Sequence, residues 1–340
     1  YVDVAAPPGL TVLFGRAGSG KTTVINAVAG LLRPQAGRIT VGGEVLLDTA
    51  RGLSVPVHRR RLGYVFQEGR LFPHLTVRQN LLYGRWFAGA GAAGPTLDEV
   101  TDLLGIGPLL DRRPARLSGG EKQRVAIGRA LLAAPRLVLA DEPLAALDAA
   151  RKAEILPYLE RLRDEMRLPI LYVSHAPAEV ARLATTVVVL EAGRVLRTGP
   201  AAEVLSDPGV TPLGPRAAGA VLSAWVSGHT EDGLTELDAG GQTPLLPRLP
   251  RAPGETVRLH VRAQDVMLAV EEPRGISALN VLPGTVAEVR MGDGPGALVQ
   301  VTTGEARLLA RVTQRSVTTL ALAPGRPVFA VLKAVSVEKD

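Results

Sequence analysis

The sequence contains no cysteine, which excludes disulfides, thiolate chemistry and cysteine-ligated zinc. It contains no uncharged apolar run of about 18 residues, so no segment reads as a membrane-spanning helix. It lacks a fixed-period repeat, and no basic-then-apolar leader opens the chain. Tyr1-Val2-Asp3, without an initiator Met, reads as the start of a cytosolic protein trimmed by a few residues. Lysine is scarce, at five of the 39 basic residues, and the arginines are spread along the chain. The densest basic cluster, His58-Arg59-Arg60-Arg61, is short and reads as a solvated turn. The net charge of +6 and pI of about 9.9 therefore argue only weakly for nucleic acid or an anionic membrane surface, and no nucleic-acid partner is expected.

What is present is globular. The chain has 340 residues, 46% hydrophobic and 21% charged, enough for two or three domains. Over the first two hundred residues, short buried-strand patterns alternate with helical ones. Leu10–Phe14, Leu137–Ala140, Ile170–Val173 and Thr186–Leu190 read as strands, and Thr22–Leu32 as an apolar helix. That alternation predicts a mostly parallel sheet covered on both faces. Val77–Ala134 is helical in pattern and reads as an inserted subdomain, with Ala88–Gly94 a flexible loop within it. Pro208, Pro212 and Pro215, interleaved with Gly209, Gly214 and Gly219, mark a boundary over 206–219. Beyond it, short alternating runs follow at Thr256–Val261, Gly284–Val289, Ala297–Val301, Arg307–Val312 and Val328–Leu332. They predict a small all-β barrel or sandwich.

Gly15-Arg16-Ala17-Gly18-Ser19-Gly20-Lys21-Thr22 has the spacing of a phosphate-binding loop and sits between a predicted strand and a predicted helix. Glycines let main-chain N–H groups curl toward phosphate oxygens, and the following helix adds its positive dipole end. Lys21 is the point charge for the β- and γ-phosphates, and the Thr22 hydroxyl, followed by Thr23, is a Mg2+ ligand. Leu137–Ala140 leads into Asp141-Glu142. Asp141 is placed to hold Mg2+, directly or through water, and Glu142 to accept a proton from an attacking water. Adjacent carboxylates on an extended strand point to opposite sides, which suits two roles. Ser118, Gly119 and Gly120 open a helix reaching about Ala134. The start is a second anion site, a Ser118–Glu121 capping box, or both. Gln67 and His175 end two further strand patterns, where ordinary polar residues are also common. Gln67 is a candidate for Mg2+ or the attacking water, and His175 for the γ-phosphate.

Taken in order, Gly15–Thr22, Gln67, Leu117–Glu121, Asp141-Glu142, Leu147-Asp148 and His175 resemble the motifs of the ATP-binding subunit of ABC transporters, over about residues 9–205. The resemblance implies a P-loop NTPase fold of the ABC ATPase type with an inserted helical subdomain, over 1–205. A linker over 206–219 and a C-terminal OB-like regulatory β-barrel over 220–340 would follow. It also implies the mechanism: two copies sandwich ATP head to tail, and Ser118–Gly120 of one closes on the nucleotide held by Lys21 of the other. Gly63–Leu81, Leu117–Leu132, Leu156–Leu159 and Leu171–His175 resemble the molybdate-importing branch. Ser277–Val286 with Lys333–Val337 is similar to its small molybdate-binding (TOBE, or mop-like) barrel, over about 273–340.

The resemblance further implies separate transmembrane permease subunits docked near Gln67–Leu81, and, indirectly, a solute-binding protein. Location would be peripheral, on the cytoplasmic face of the membrane. Ser277, Asn280, Lys333 and Ser336 carry the donors an oxyanion such as molybdate or tungstate needs, or are plain turn and edge residues. Three features depart from the family pattern. No upstream aromatic is placed to stack on adenine, Tyr1 being poorly positioned for it. Ala145-Ala146-Leu147-Asp148 lacks a serine that is frequent there, and Ala140 replaces a larger aliphatic. The rival readings are an importer of sulfate, polyamine or sugar, a soluble ABC ATPase acting on nucleic acid or ribosomes, and an oxyanion sensor or store.

Overall fold

Aliphatic runs buried on both faces set the architecture. The computed structural model describes residues 2–87, 94–166, 168–210, 214, 218–292, 294–334 and 338–339. It divides into two compact units, residues 1–175 with 190–195, and residues 176–189 with 196–340.

In the first unit, β1 (Leu10–Phe14) is fully buried and leads through the Gly15–Gly20 turn into α1 (Lys21–Ala29). Three short strands follow, β2 (Arg38–Val41), β3 (Glu44–Asp48) and β4 (Leu53–Ser54), forming an antiparallel sheet. The sequence reading missed this sheet, although Gly42-Gly43, with φ of 56° and 80°, is a hairpin turn signal. Its strands are short and half-exposed, so they carry little apolar signal. Then come β5 (Leu62–Val65), α2 (Val77–Leu82), α3 (Leu97–Leu104), α4 (Gly119–Leu132), β6 (Leu137–Asp141), α5 (Ala149–Glu165) and β7 (Ile170–Ser174). Strands β5, β6, β7 and β1 lie side by side in that order, all parallel. Tyr64 pairs with Leu139, Asp141 with Val173 and Phe14 with Ser174. The loops beginning at Gly15, Phe66, Glu142 and His175 therefore leave one edge of one sheet, where parallel sheets place their ligands.

Helices α2, α3 and α4 each start on a capping box, at Thr76, Thr96 and Ser118. They meet at Gly128, where a Cβ would stand 2.8 Å from Leu81 and 3.2 Å from Leu104. Residues 88–93 of the predicted loop lie outside the described residues.

Helix α1 stops earlier than the predicted Leu32. Gly30 takes a left-handed φ of 82°, and Leu31 N–H turns back to Asn26 O. The predicted solvated turn at 58–61 also needs correction. His58, Arg59 and Arg61 are exposed, but Arg60 is only 3% exposed. Its guanidinium donates to Val55 O (2.9 Å), Ala27 O (3.0 Å) and Val28 O (2.7 Å), and fills the space a Gly30 Cβ would need. A cation thus closes the C-terminal, negative end of the helix whose other end carries the phosphate loop.

The chain continues through α6 (Pro177–Leu183), β8 (Thr186–Glu191), β9 (Arg194–Pro200) and α7 (Ala201–Leu205). The rest of the second unit is antiparallel: β10 (Gly219–His229), β11 (Leu234–Asp238), β12 (Leu245–Pro247), β13 (Thr256–Arg262), β14 (Met267–Ala269), β15 (Asn280–Met291), β16 (Gly296–Thr303), β17 (Ala306–Thr313), α8 (Gln314–Thr319), β18 (Pro327–Leu332) and β19 (Glu338–Lys339). The two sheets run β12-β11-β10-β13-β19 and β14-β18-β15-β16-β17. They share an apolar core, with Leu222, Leu237 and Leu259 from one sheet and Leu282, Leu308 and Leu332 from the other. Gln300 Nε2 donates to Ser206 O at 2.7 Å, tying the segment before β10 to β16.

Replacing Arg60 with Ala removes three hydrogen bonds to backbone carbonyls, of which Ala27 O keeps that from Gly30 N–H. A loss of about 2 kcal/mol is expected in urea denaturation. Arg60→Lys should recover only part of it, because one ammonium does not reproduce the planar fork.

Candidate nucleotide site

The phosphate loop is held open by glycine. Gly18 and Gly20 have φ of 79° and 100°. A Cβ on Gly15 would lie 2.2 Å from Leu190 O and 2.8 Å from Ser19 Oγ. Gly20 caps α1 without a side-chain hydrogen bond, so the first-turn amides remain directed at the loop. Ser19 Oγ is buried and has no hydrogen-bond partner. Arg16, Ala17 and Gly18 form an exposed rim, and Thr22 and Thr23 are also exposed. Lys21 is 4% exposed, and its Nζ donates to Gly15 O and Arg16 O, both at 2.8 Å. Burial lowers its pKa, opposed by the charges of Glu142 and Asp141.

Asp141 closes β6 with both oxygens engaged. Oδ1 accepts from Thr22 Oγ1 at 3.2 Å and Oδ2 from the Tyr64 hydroxyl at 3.3 Å. Burial raises its pKa, and these two hydrogen bonds oppose the rise. The Tyr64 hydroxyl also approaches Asn26 Oδ1 at 3.0 Å. Burial first, and then Asp141, push the Tyr64 pKa up, so the hydroxyl stays a donor.

Glu142 lies past the strand rather than on it. Its φ is 45°, a left-handed conformation that costs a non-glycine residue roughly 1 kcal/mol. Its N–H donates to Val173 O and its carbonyl accepts from Ala145 N–H, both at 3.1 Å. This turn, not strand alternation as the sequence suggested, separates the two carboxylates. Asp141 faces Thr22 and Tyr64, while Glu142 Oε1 stands 3.1 Å from His175 Nδ1.

Gln67 is exposed two residues past β5. The segment around it is fastened to α4 by residues that sequence reasoning missed. Gln123 Nε2 donates to Phe66 O at 3.2 Å, and Arg129 donates to Arg70 O at 2.9 Å and to Gly69 O at 3.2 Å. Their only sequence signal is their place on the helix that Ser118 begins. Ser118 is exposed, and it completes its cap by accepting from Glu121 N–H and donating its own N–H to Glu121 Oε2. Gly119 is partly covered by Leu147, and Gly120 is buried against Ile155. Asp148 caps α5, accepting from Arg151 N–H at 2.9 Å.

Two family models match, that of the ABC transporter over residues 5–145 and that of the TOBE domain over 276–338. A molybdenum import ATP-binding protein ModC of Rhizobium meliloti (strain 1021) is 57% identical, with 97% of this chain and 93% of that protein covered. Another of the same name, from Mesorhizobium japonicum, is 55% identical, covering 97% and 90%. The chain belongs to this ABC transporter ATPase family. A solved structure, cbiO1 from Clostridium perfringens, part of an ABC transporter complex cbiONQ, superposes with a TM-score of 0.50 at 29% identity. It covers 59% of this chain and 81% of that one.

The ABC transporter match contains the phosphate loop, Gln67, Ser118–Gly120 and Asp141-Glu142, while His175 lies beyond it. As an ABC ATPase the chain binds ATP. The oxygen donors of Thr22 and Asp141 fit Mg2+, which takes few ligands from protein and the rest from water and phosphate.

The TOBE match spans the oxyanion candidates, and here one expectation is corrected. Asn280 is 2% exposed, and its amide is spent on Leu245, accepting from N–H at 2.7 Å and donating to O at 3.0 Å. It is a brace between β15 and β12, not a free donor. Ser277 is exposed, and Lys333 is exposed next to Leu332, the register partner of Asn280. Ser336 lies outside the described residues, as does Tyr1.

Gly15→Ala drives a methyl group into Leu190 O. It should abolish ATP binding in a filter or fluorescence assay, whereas Ala17→Ser on the exposed rim should leave binding intact.

Proposed function

We propose that this chain is the ATP-hydrolysing subunit of a molybdate importer, and that its reaction centre is divided between Asp141 and Glu142. One observation carries the reading: adjacent carboxylates at one sheet edge turn to different partners, Thr22 and Tyr64 for the first, His175 for the second.

Lys21 moves from the carbonyls of Gly15 and Arg16 to the β- and γ-phosphates, an exchange of one set of oxygen acceptors for a charged one. The amides of residues 16–22 and the start of α1 take the remaining phosphate charge. Mg2+, when bound, neutralises charge on the phosphates; Thr22 and Asp141, with Gln67, would hold it. Glu142 accepts a proton from water as the water oxygen bonds to the γ-phosphorus and the bond to the ADP oxygen breaks. His175, already beside Glu142, keeps that carboxylate turned to the site and is the partner of the γ-phosphate. Ser118 and Gly120, with Gly119 between them, belong to the site of a second copy. In support, this corner packs on Leu147 and Ile155, outside its own chain's phosphate loop, with Ser118 open to solvent.

The nucleotide-binding domain is read as 1–205, with 77–134 its helical subdomain, and the regulatory domain as 220–340 after a linker. Residues 211–213 and 215–217 of that linker are outside the described ones. No helix among the described residues is long and apolar enough to cross a membrane. Separate permease subunits are read from the likeness to import ATP-binding proteins. Their docking surface is read at Gln67–Leu81, where Asn80 organises the loop by accepting from Phe72 N–H and donating to the carbonyls of Phe72, Leu75 and Thr76. A solute-binding protein delivers substrate from the other side. In the C-terminal domain Ser277 and Lys333 are the remaining donors for molybdate or tungstate as a regulatory ligand.

Glu142→Gln should retain ATP binding and lose turnover by about 10²–10⁴-fold in a phosphate-release assay; near-normal turnover would remove Glu142 as the base. Molybdate should bind the full chain in calorimetry and lower ATPase of the assembled transporter, and Lys333→Ala should weaken both effects. Absence of binding together with unchanged ATPase would reject the regulatory role.

A further inference from the structure

We propose that Tyr64 is a positioning residue that holds the Asp141 carboxylate ready for Mg2+ and links that readiness to the segment bearing Gln67. The inference rests on the nucleotide-site reading above. Asp141 has two oxygens and two hydroxyl donors, Thr22 on Oδ1 and Tyr64 on Oδ2, at 3.2 and 3.3 Å. The Thr22 oxygen would be shared with a metal ion, whereas the Tyr64 hydroxyl is a donor to the carboxylate that takes no part in holding the metal. Tyr64 is held in place from three directions. Its backbone is locked in β5 opposite Leu139, and its hydroxyl is shared with Asn26 Oδ1 of α1 at 3.0 Å. Its ring stacks on Phe66 at 4.2 Å, with the planes 28° apart. The Phe66 ring in turn lies under the Arg70 guanidinium at 4.3 Å, and its carbonyl is held by Gln123 of α4. Gln67 sits between these anchors. A shift of the 66–70 segment therefore moves the Phe66 ring, and with it the hydroxyl that aims Asp141.

Tyr64→Phe removes the hydroxyl and keeps the stack. With the full chain, ATP binding would be measured in EDTA and across a Mg2+ titration, alongside steady-state turnover. Binding in EDTA should match wild type, the Mg2+ half-saturation of binding should rise about tenfold, and kcat at saturating Mg2+ should fall by a smaller factor than that. An unchanged half-saturation overturns the proposal. So does an equal loss of binding with and without Mg2+, which would make Tyr64 a support for the loop alone. If Tyr64→Phe does not melt cooperatively, Phe66→Leu carries the test. It removes the ring on which Tyr64 stacks and should raise the Mg2+ half-saturation while binding in EDTA is kept; an unchanged half-saturation overturns the proposal. Lys21→Ala is measured in parallel. If it binds ATP normally, the site reading itself has failed, whatever Tyr64 does.

Discussion

A buried ammonium folded into the coil of its own loop is the interaction on which the site depends. Lys21 is nearly inaccessible, yet its Nζ is satisfied by the carbonyls of Gly15 and Arg16. Without them the loop would enclose an unpaired charge, which proteins avoid at a cost of several kcal/mol. The glycines follow from this arrangement. Gly15 leaves no room for a Cβ beside Leu190 O, and Gly18 and Gly20 supply the left-handed turns that bring the carbonyls round. The buried Ser19 hydroxyl without a partner and the uncapped start of α1 leave unspent donors in the same place. An anion of high charge density satisfies all of them at once.

The rest of the first unit delivers groups to that loop. Two parallel pairings bring Phe14, Asp141 and Ser174 to one edge, so each following residue enters the site from a strand. At Glu142 a left-handed φ turns the residue from Asp141 toward His175. Helix α4 has two tasks. Its first turn presents Ser118, and its body holds the carbonyls of Phe66, Gly69 and Arg70 through Gln123 and Arg129. The segment bearing Gln67 and the corner at Ser118 thus share one rigid body. A pull on the proposed permease-docking loop would reach both.

Much of this was legible in the sequence, for a physical reason. The phosphate loop, the strand into Asp141 and the capping box at Ser118 are local patterns, in which residue type and spacing alone fix the backbone. The buried strands Leu10–Phe14 and Ile170–Ser174 were readable because both faces are covered and the runs are continuously apolar. What was missed is non-local. Arg60 reads as one of a solvated basic group until the C-terminus of α1 is placed above it. Tyr64, Gln123 and Arg129 acquire roles only when β5, β6 and α4 are brought together. Asn280 reads as a free donor until Leu245 arrives from a distant strand and takes both ends of its amide.

The central claim, that one chain's phosphate loop and another chain's Ser118 corner enclose the same nucleotide, can be tested directly because the sequence has no cysteine of its own. Ala17→Cys and Ser118→Cys chains, made separately, mixed and oxidised under mild conditions, would be followed on a non-reducing gel. The account predicts a disulfide joining the two different chains that forms with ATP and disappears when nucleotide is withheld. A yield independent of nucleotide, or no joined species at any ATP concentration, would contradict it.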